Sequence, residues 1–506
     1  MTPRPLRRAL ALAALALALA APAALAQRQS PTPAPAARPA DPFVAAQAAA
    51  LAPGSAGDLD RAAEWDRYTM AVALSPDERR ARGTVTVQLT NRSTATYERI
   101  YFRLYPNHPD FGGRLDVTGA TVNGRPVPSG TEQGDTLIWL AAPRPLAPGG
   151  TATAELSFVA RTPRNASADT FGAFNQEAGL WSLANFYPIL ARQFADGWDR
   201  RPVTSRGDFT VTETALYEVT VDAPAGWTLV STGARVSAGP AGQGVRRERF
   251  VSGPQREFYL GATQGLDQAS ATVGGTRVVS HYQPGNAAAG RRALRVAEES
   301  LRIFGERFGP YPLAELEVVQ GAMTTFLGME YPGVVLIEQN LYRSNGRGLE
   351  TTVAHEVAHQ WWYSLVGNDA QGEPWLDEGL ASYSQVLYYE GLGAPQQARA
   401  ELNSFRDMFQ ASRRQGRDAP LATPPSALRG MYVPVIYAKG ALFFQALRDQ
   451  IGEAAFDRFL RDYYAAGRYG AVAGPDLLRA AEGACACELD QLYADWVLTA
   501  APVPVP

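Results

Sequence analysis

The apolar residues of this chain change their period once, near Ala288, and that change divides what the chain can fold into. Upstream, from about Asp58 to Leu266, they recur in short alternating runs: YTMAVAL from Tyr68, GTVTVQLTN from Gly83, RIYFRLYP from Arg99, DTLIWL from Asp135, TATAELSFVA from Thr151, LYEVTVDAP from Leu216 and REFYLGAT from Arg256. Alternation places every second side chain on one face, and Gly, Pro and Asn between the runs supply turns, so this half is expected to be an antiparallel β domain. Downstream, AAAGRRALRVAEESLRIFGERFG (residues 287–309) has the amphipathic spacing of a helix and ends at Gly309-Pro310. Two strand-like runs follow, LAELEVVQ and GVVLIEQ, and from there to Leu498 helical spacing dominates. The expected fold is therefore multidomain α and β, with an N-terminal β domain over 58–266 and an α+β, mostly helical domain over 267–506. Roughly 450 residues are more than one core usually supports.

The N-terminus carries Arg4, Arg7 and Arg8, then an Ala/Leu run, then the small-x-small site Ala24-Leu25-Ala26. This is the pattern of a secretory signal peptide over residues 1–26, cleaved after Ala26. Removing the three arginines takes the formal charge from −3 to −6. A secreted or periplasmic protein is expected, with no membrane association once the signal is cleaved. Residues 27–57, rich in Ala and Pro with few large apolar side chains, read as a flexible leader. The charge is negative and no basic run follows the signal, so nucleic acid is not an expected partner. Cys485 and Cys487 sit too close for an easy bridge, and small apolar packing is the expectation for both.

A helix-sized stretch from Thr351 to Gly367, TTVAHEVAHQWWYSLVG, holds His355, Glu356 and His359 in the pattern H-E-x-x-H. Histidines four apart project from one helix face one turn apart, so both imidazoles reach a single zinc ion with Glu356 beside them. A third ligand is needed. Asp369, Glu373, Asp377 and Glu378 all lie nearby, and Glu378 is favoured because Pro374 marks the start of a second helix running to Gly391, with Glu378 in its first turn and Asp377 the next choice. Three protein ligands leave one tetrahedral position open, as catalytic zinc sites do, so one Zn2+ per chain and a hydrolytic reaction are expected. His108 and His281 fall outside every motif.

At this point the chain resembles the aminopeptidase N and leukotriene-hydrolase family of gluzincin peptidases, in a shortened form. HEVAHQWW with WLDEGLASY is similar to that family's H-E-x-x-H, eighteen residues, then Glu, and GMEYPG (328–333) to its exopeptidase motif G-A-M-E-N. IYAKG (436–440) resembles the segment bearing its catalytic tyrosine, and NFYP, GDFTVTETALYEVTVDAP and FGPYP extend the likeness over nearly all of the mature chain. The resemblance implies a thermolysin-like catalytic domain in which His355, His359 and Glu378 bind zinc and Glu356 is the general base. It implies that Tyr437 stabilises the oxyanion, with Tyr432 as competitor, and that Glu330, Gly328 and Met329 bind substrate. Glu330 would pair with the free ammonium of a peptide, making the protein an aminopeptidase acting on peptides with a free N-terminus. A gluzincin endopeptidase and a catalytically silent peptide-binding protein are the alternatives.

The chain departs from the exopeptidase motif at Leu327, Gly328 and Tyr331. It offers only Gln176 for the glutamine by which the family's β domain lines the site. It also stops soon after DQLYADWVL, where family members commonly continue into domains that roof the cleft, so a more open cleft, or one closed by oligomerisation, is expected; the oligomeric state is not legible.

Overall fold

The alternating runs form the eight-stranded sheet that the pattern requires. In the computed structural model, which describes residues 41–163, 171–204, 207–208, 210–344, 346–500 and 502–505, its strands lie in the order Ala234–Gly242, Val245–Gln255, Ala215–Pro224, Asp66–Ser75, Arg80–Thr90, Thr151–Arg161, Arg114–Val122 and Arg125–Pro126. The strand Asp66–Ser75 alternates buried and exposed along nearly its whole length, the signature of a sheet packed on one face. Its pairing with Ala215–Pro224 is parallel and the other pairings are antiparallel, so the sheet is mixed rather than purely antiparallel. Two four-stranded sheets cover it, and Val85, Leu156, Phe158, Trp181, Phe186 and Val219 fill the space between.

The signal peptide and the leader as far as Ala40 lie outside the described residues. From Pro42 the leader reading is corrected: helix α1 (Pro42–Gln47) and the 3-10 segments Ala48–Ala50 and Ala56–Glu64 follow, and Ala50, Leu51 and Ala52 are buried. The Gln47 amide donates to the Tyr217 carbonyl (3.1 Å) and accepts from the Gly253 amide (2.9 Å), and Leu51 makes a β-bridge to Leu313. Composition alone does not reveal such a seam.

The last strand of the β region ends at Thr263, and Asp267–Val273 opens a five-stranded sheet in the order Asp267–Val273, Thr276–Tyr282, Glu315–Gly321, Val334–Glu338, Gly328–Tyr331. Helix α2 (Ala287–Arg307) packs on this sheet, followed by α3 (Gly348–Ala358), α4 (Trp375–Gly391), α5 (Pro395–Arg414), α6 (Gly440–Ile451), α7 (Glu453–Gly467) and α8 (Gly474–Cys485). Trp361, Trp362, Trp375, Phe304 and Phe444 are fully buried in their shared core. At the end of α8, Ala486 adopts the left-handed conformation (φ 53°), which folds the chain back and brings the Cys485 and Cys487 Cα atoms to 5.2 Å, and the two are joined as a disulfide. This corrects the expectation of free, packed thiols: a helix cap supplies the reversal that two-residue spacing in an extended chain lacks. Among the described residues no helix is long and apolar enough to cross a membrane.

Candidate metal-binding active site

Helix α3 ends at Ala358 rather than continuing to Gly367. Its C-cap, His359, keeps helical angles (φ −62°, ψ −16°) and donates its backbone N–H to the His355 carbonyl (3.2 Å), so the imidazole still projects beside that of His355. Beyond it, Trp361 and Trp362 turn into the core against Phe308, with the Trp361 indole N–H donating to the Gly309 carbonyl (2.9 Å), and that burial pulls the chain off the helix axis. The turn serves the site. The Trp362 carbonyl lies 2.9 Å from His359 Nδ1, which fixes the proton there and leaves Nε2 as a lone-pair donor, and the Gln385 amide nitrogen of α4 lies 3.1 Å from His355 Nδ1 and orients that ring from behind.

Pro374 caps α4, whose first turn holds Asp377 and Glu378. Glu378 Oε2 lies 3.1 Å from His355 Nε2 and 3.2 Å from His359 Nε2, and the two Nε2 atoms are 3.1 Å apart. Such a triangle is close to the roughly 3.3 Å edge of a tetrahedral zinc site with ligands at about 2.0–2.1 Å. Two imidazole nitrogens pressed together in a buried pocket are unfavourable by themselves, whereas a shared cation makes them complementary, so the donor set fits zinc. Asp377 does not join it: its carboxylate turns back to accept the Glu378 backbone N–H (2.9 Å). Asp369 pairs with Arg201 (2.7 Å), and Glu373 accepts from the Gly474 backbone (3.1 Å).

These donors line a cavity of 310 Å³, together with Glu356, Tyr437, Gly328, Met329 and Glu330. Glu330 is buried on the edge strand Gly328–Tyr331, which the two-residue Pro332-Gly333 turn, with φ +73° at Gly333, returns antiparallel onto Val334–Glu338. Gly328 faces the Glu356 carboxylate so closely that a Cβ would come within 2.5 Å of Glu356 Cγ, which explains glycine at this position. Tyr437 sits in a π-helical turn, Val433–Lys439, and its hydroxyl donates to Glu378 Oε1. Tyr432, the competitor, does not line the cavity; its hydroxyl packs against Gly207. Gln176 also stays outside the cavity.

Residues 292–496 match the family model described as the peptidase family M1 domain. That region is similar to an M1 peptidase domain. The chain resembles Aminopeptidase M1-B of Oryza sativa subsp. japonica, 29% identical over 244 residues, and Aminopeptidase M1-A of the same rice, 26% identical over 343 residues. The matches take in 45% and 64% of this chain but only 27% and 37% of those relatives' own lengths. The fold is that of an M1 zinc metallopeptidase from Deinococcus radiodurans, at 22% identity and a TM-score of 0.66, covering 87% of this chain and 95% of that one. A mutant of the Deinococcus protein has been solved bound to a Tyr-ser-ala substrate, with the same identity and coverage.

The cavity contains one acid that the sequence did not single out. Asp208 comes from the β region, in the segment leading to the strand Ala215–Pro224, and it is buried against Glu330 and Glu378 with Oδ2 unpartnered. Only its place in GDFTVTET was visible in advance, and nothing in that run marks it as chemical. Burial and the neighbouring Glu330 and Glu378 charges push the Asp208 carboxyl well above the usual range, and burial with Glu356 and Glu378 does the same for Glu330. Burial lifts Glu356 to about 8 and, with the Glu378 charge, Asp377 to about 7. Glu378 goes the other way, to about 2: burial would raise it, but the two imidazoles against it outweigh burial. His108 and His281 lie away from the cavity, the first accepting the Asp110 backbone N–H through Nδ1 (3.3 Å) and the second paired with Glu317 (2.5 Å).

Behind Glu330, Glu257 accepts from the Tyr363 hydroxyl and the Asn185 amide, and burial nonetheless lifts its carboxyl to about 7. The unfolded chain releases this proton near pH 4.5 and the folded chain only near 7. The group's contribution is therefore fully favourable below about pH 4.5 and is lost as pH rises through 7, a change of about 3 kcal/mol. Glu257→Gln should flatten the decline of Tm between pH 5 and 7.5 relative to wild type; parallel curves would contradict this.

Proposed function

We propose that this protein is a secreted zinc aminopeptidase that releases N-terminal residues from peptides. The observation that supports it is the charge of the cavity. Asp208, Glu330, Glu356 and Glu378 converge on it, and no Lys or Arg is among the described residues lining it. A divalent cation and one substrate ammonium would offset three of those four charges, while a substrate carboxylate would add to the excess. That favours attack next to a free N-terminus over attack next to a free C-terminus, and an internal peptide bond offers no charge for Glu330 and Asp208 to hold.

His355, His359 and Glu378 would hold one zinc ion, which supplies Lewis acidity to the scissile carbonyl and acidifies the attacking water. Glu356, whose Oε2 has no protein partner, takes the proton from that water and carries it to the departing amine. Glu330 and Asp208 bind the substrate ammonium and so set the first peptide bond beside Glu356. Burial and the adjacent Glu378 carboxylate hold the Tyr437 phenol well above its ordinary value, so it stays protonated and donates to the oxyanion.

The test is a panel of aminoacyl chromogenic amides. At least one should be hydrolysed, a chelator should abolish the activity, and one equivalent of zinc per chain should restore it. No turnover on any member of the panel would sink the proposal. Tyr437→Phe should lower kcat by about 10² to 10³-fold with KM nearly unchanged, as loss of an oxyanion donor does. A loss confined to KM would remove Tyr437 from that role.

A further inference from the structure

We infer that the leaving side of the cleft selects peptides whose second and third residues are apolar, a specificity that rests on the aminopeptidase reading. Among the described residues four large apolar side chains are exposed, and three of them line the 310 Å³ cavity: Leu327 (59%), Val433 (49%) and Met408 (40%). Single exposed apolar residues are ordinary, but these come from three separate elements, the residue before the edge strand, the start of the π-helical turn and α5, and they meet at one opening.

The order of residues along the edge strand says which part of a substrate they meet. Glu330, the buried ammonium partner, comes at one end. Gly328, two residues earlier, lies against the base Glu356, and Leu327 comes next, on the far side of that base from Glu330. A strand and an extended peptide advance by nearly the same distance per residue, about 3.3 Å. A peptide held by its ammonium at Glu330 and attacked beside Glu356 would therefore carry its following residues past Leu327, in the cavity that Met408 and Val433 also line. Apolar side chains there lose water on both surfaces; a charged side chain would be stripped of water with no partner among these three residues.

The experiment compares kcat/KM for three substrates sharing the first residue that the aminoacyl panel favours: its simple amide, and two tripeptide amides with Phe or Asp at positions two and three. Wild type should prefer the Phe peptide over the Asp peptide by at least about tenfold. Leu327→Ser and Met408→Ser, each made separately at an exposed position, should each reduce that ratio several-fold. If the simple amide and both peptides are cut but Phe and Asp peptides are equivalent, the inference fails while the aminopeptidase reading stands. If the preference exists but both variants keep it undiminished, the rim is not its source and the inference also fails. If wild type cuts none of the three, the underlying reading fails instead.

Discussion

Glu356→Gln should bind one zinc per chain as wild type does and turn over peptides about 10² to 10⁴-fold more slowly, the range that a positioned general base contributes. The structure separates the two properties. Glu356 is not part of the donor triangle: His355, His359 and Glu378 close on one another at 3.1 to 3.2 Å without it, and each imidazole is oriented from behind, by Gln385 or the Trp362 carbonyl. Replacing a carboxylate by an amide of the same shape leaves those contacts and the close approach of Gly328 in place, and removes only the capacity to take a proton. Metal analysis of the purified variant beside a progress curve on the best chromogenic amide measures both properties. Near-normal turnover would overturn the assigned base, and loss of zinc would place Glu356 in the ligand shell instead.

N-terminal acetylation of a good peptide substrate should reduce its cleavage to below about one hundredth, and Glu330→Gln should lower kcat/KM on the free peptide by about 10 to 10²-fold. A hydrogen bond to a charged group contributes about 1.5–3 kcal/mol, and truncating it here also leaves Asp208 to hold the ammonium alone. Asp208→Asn should act in the same direction on the same substrates. The two carboxyls are pushed upward by burial and by neighbouring carboxylates, so a bound ammonium relieves an interaction that costs the free site, and an acetylated terminus cannot. Mass spectrometry of matched free and acetylated peptides gives the answer. Equal cleavage of the two would favour the endopeptidase alternative and strip Glu330 and Asp208 of their role.

Much of this site is legible in the order of residues because helices make local sequence into local space. His355, Glu356 and His359 share a face by helical spacing, and Pro374 starts α4 so that Glu378 falls in its first turn; both facts need only the pitch of a helix. Where the reading ran past α3 to Gly367, the cause is tertiary: Trp361 and Trp362 gain more by entering the core beside α2 than by continuing the helix. The leader from Pro42 and the Cys485–Cys487 bridge were misread for a related reason, since hydrogen bonds from Gln47 to distant strands hold the one and a left-handed cap brings near neighbours together in the other.

The sequence by itself determined the β-then-helical plan, the zinc-type donor set and the Glu356 carboxylate beside it, because each depends on a period or a turn that neighbouring residues dictate. Only the tertiary structure decided which acid of the β region enters the cavity, that Tyr437 rather than Tyr432 reaches Glu378, and that Leu327, Met408 and Val433 form one rim. Those residues lie tens to hundreds of positions apart. What joins them is the packing of sheets on helices, which no local pattern encodes.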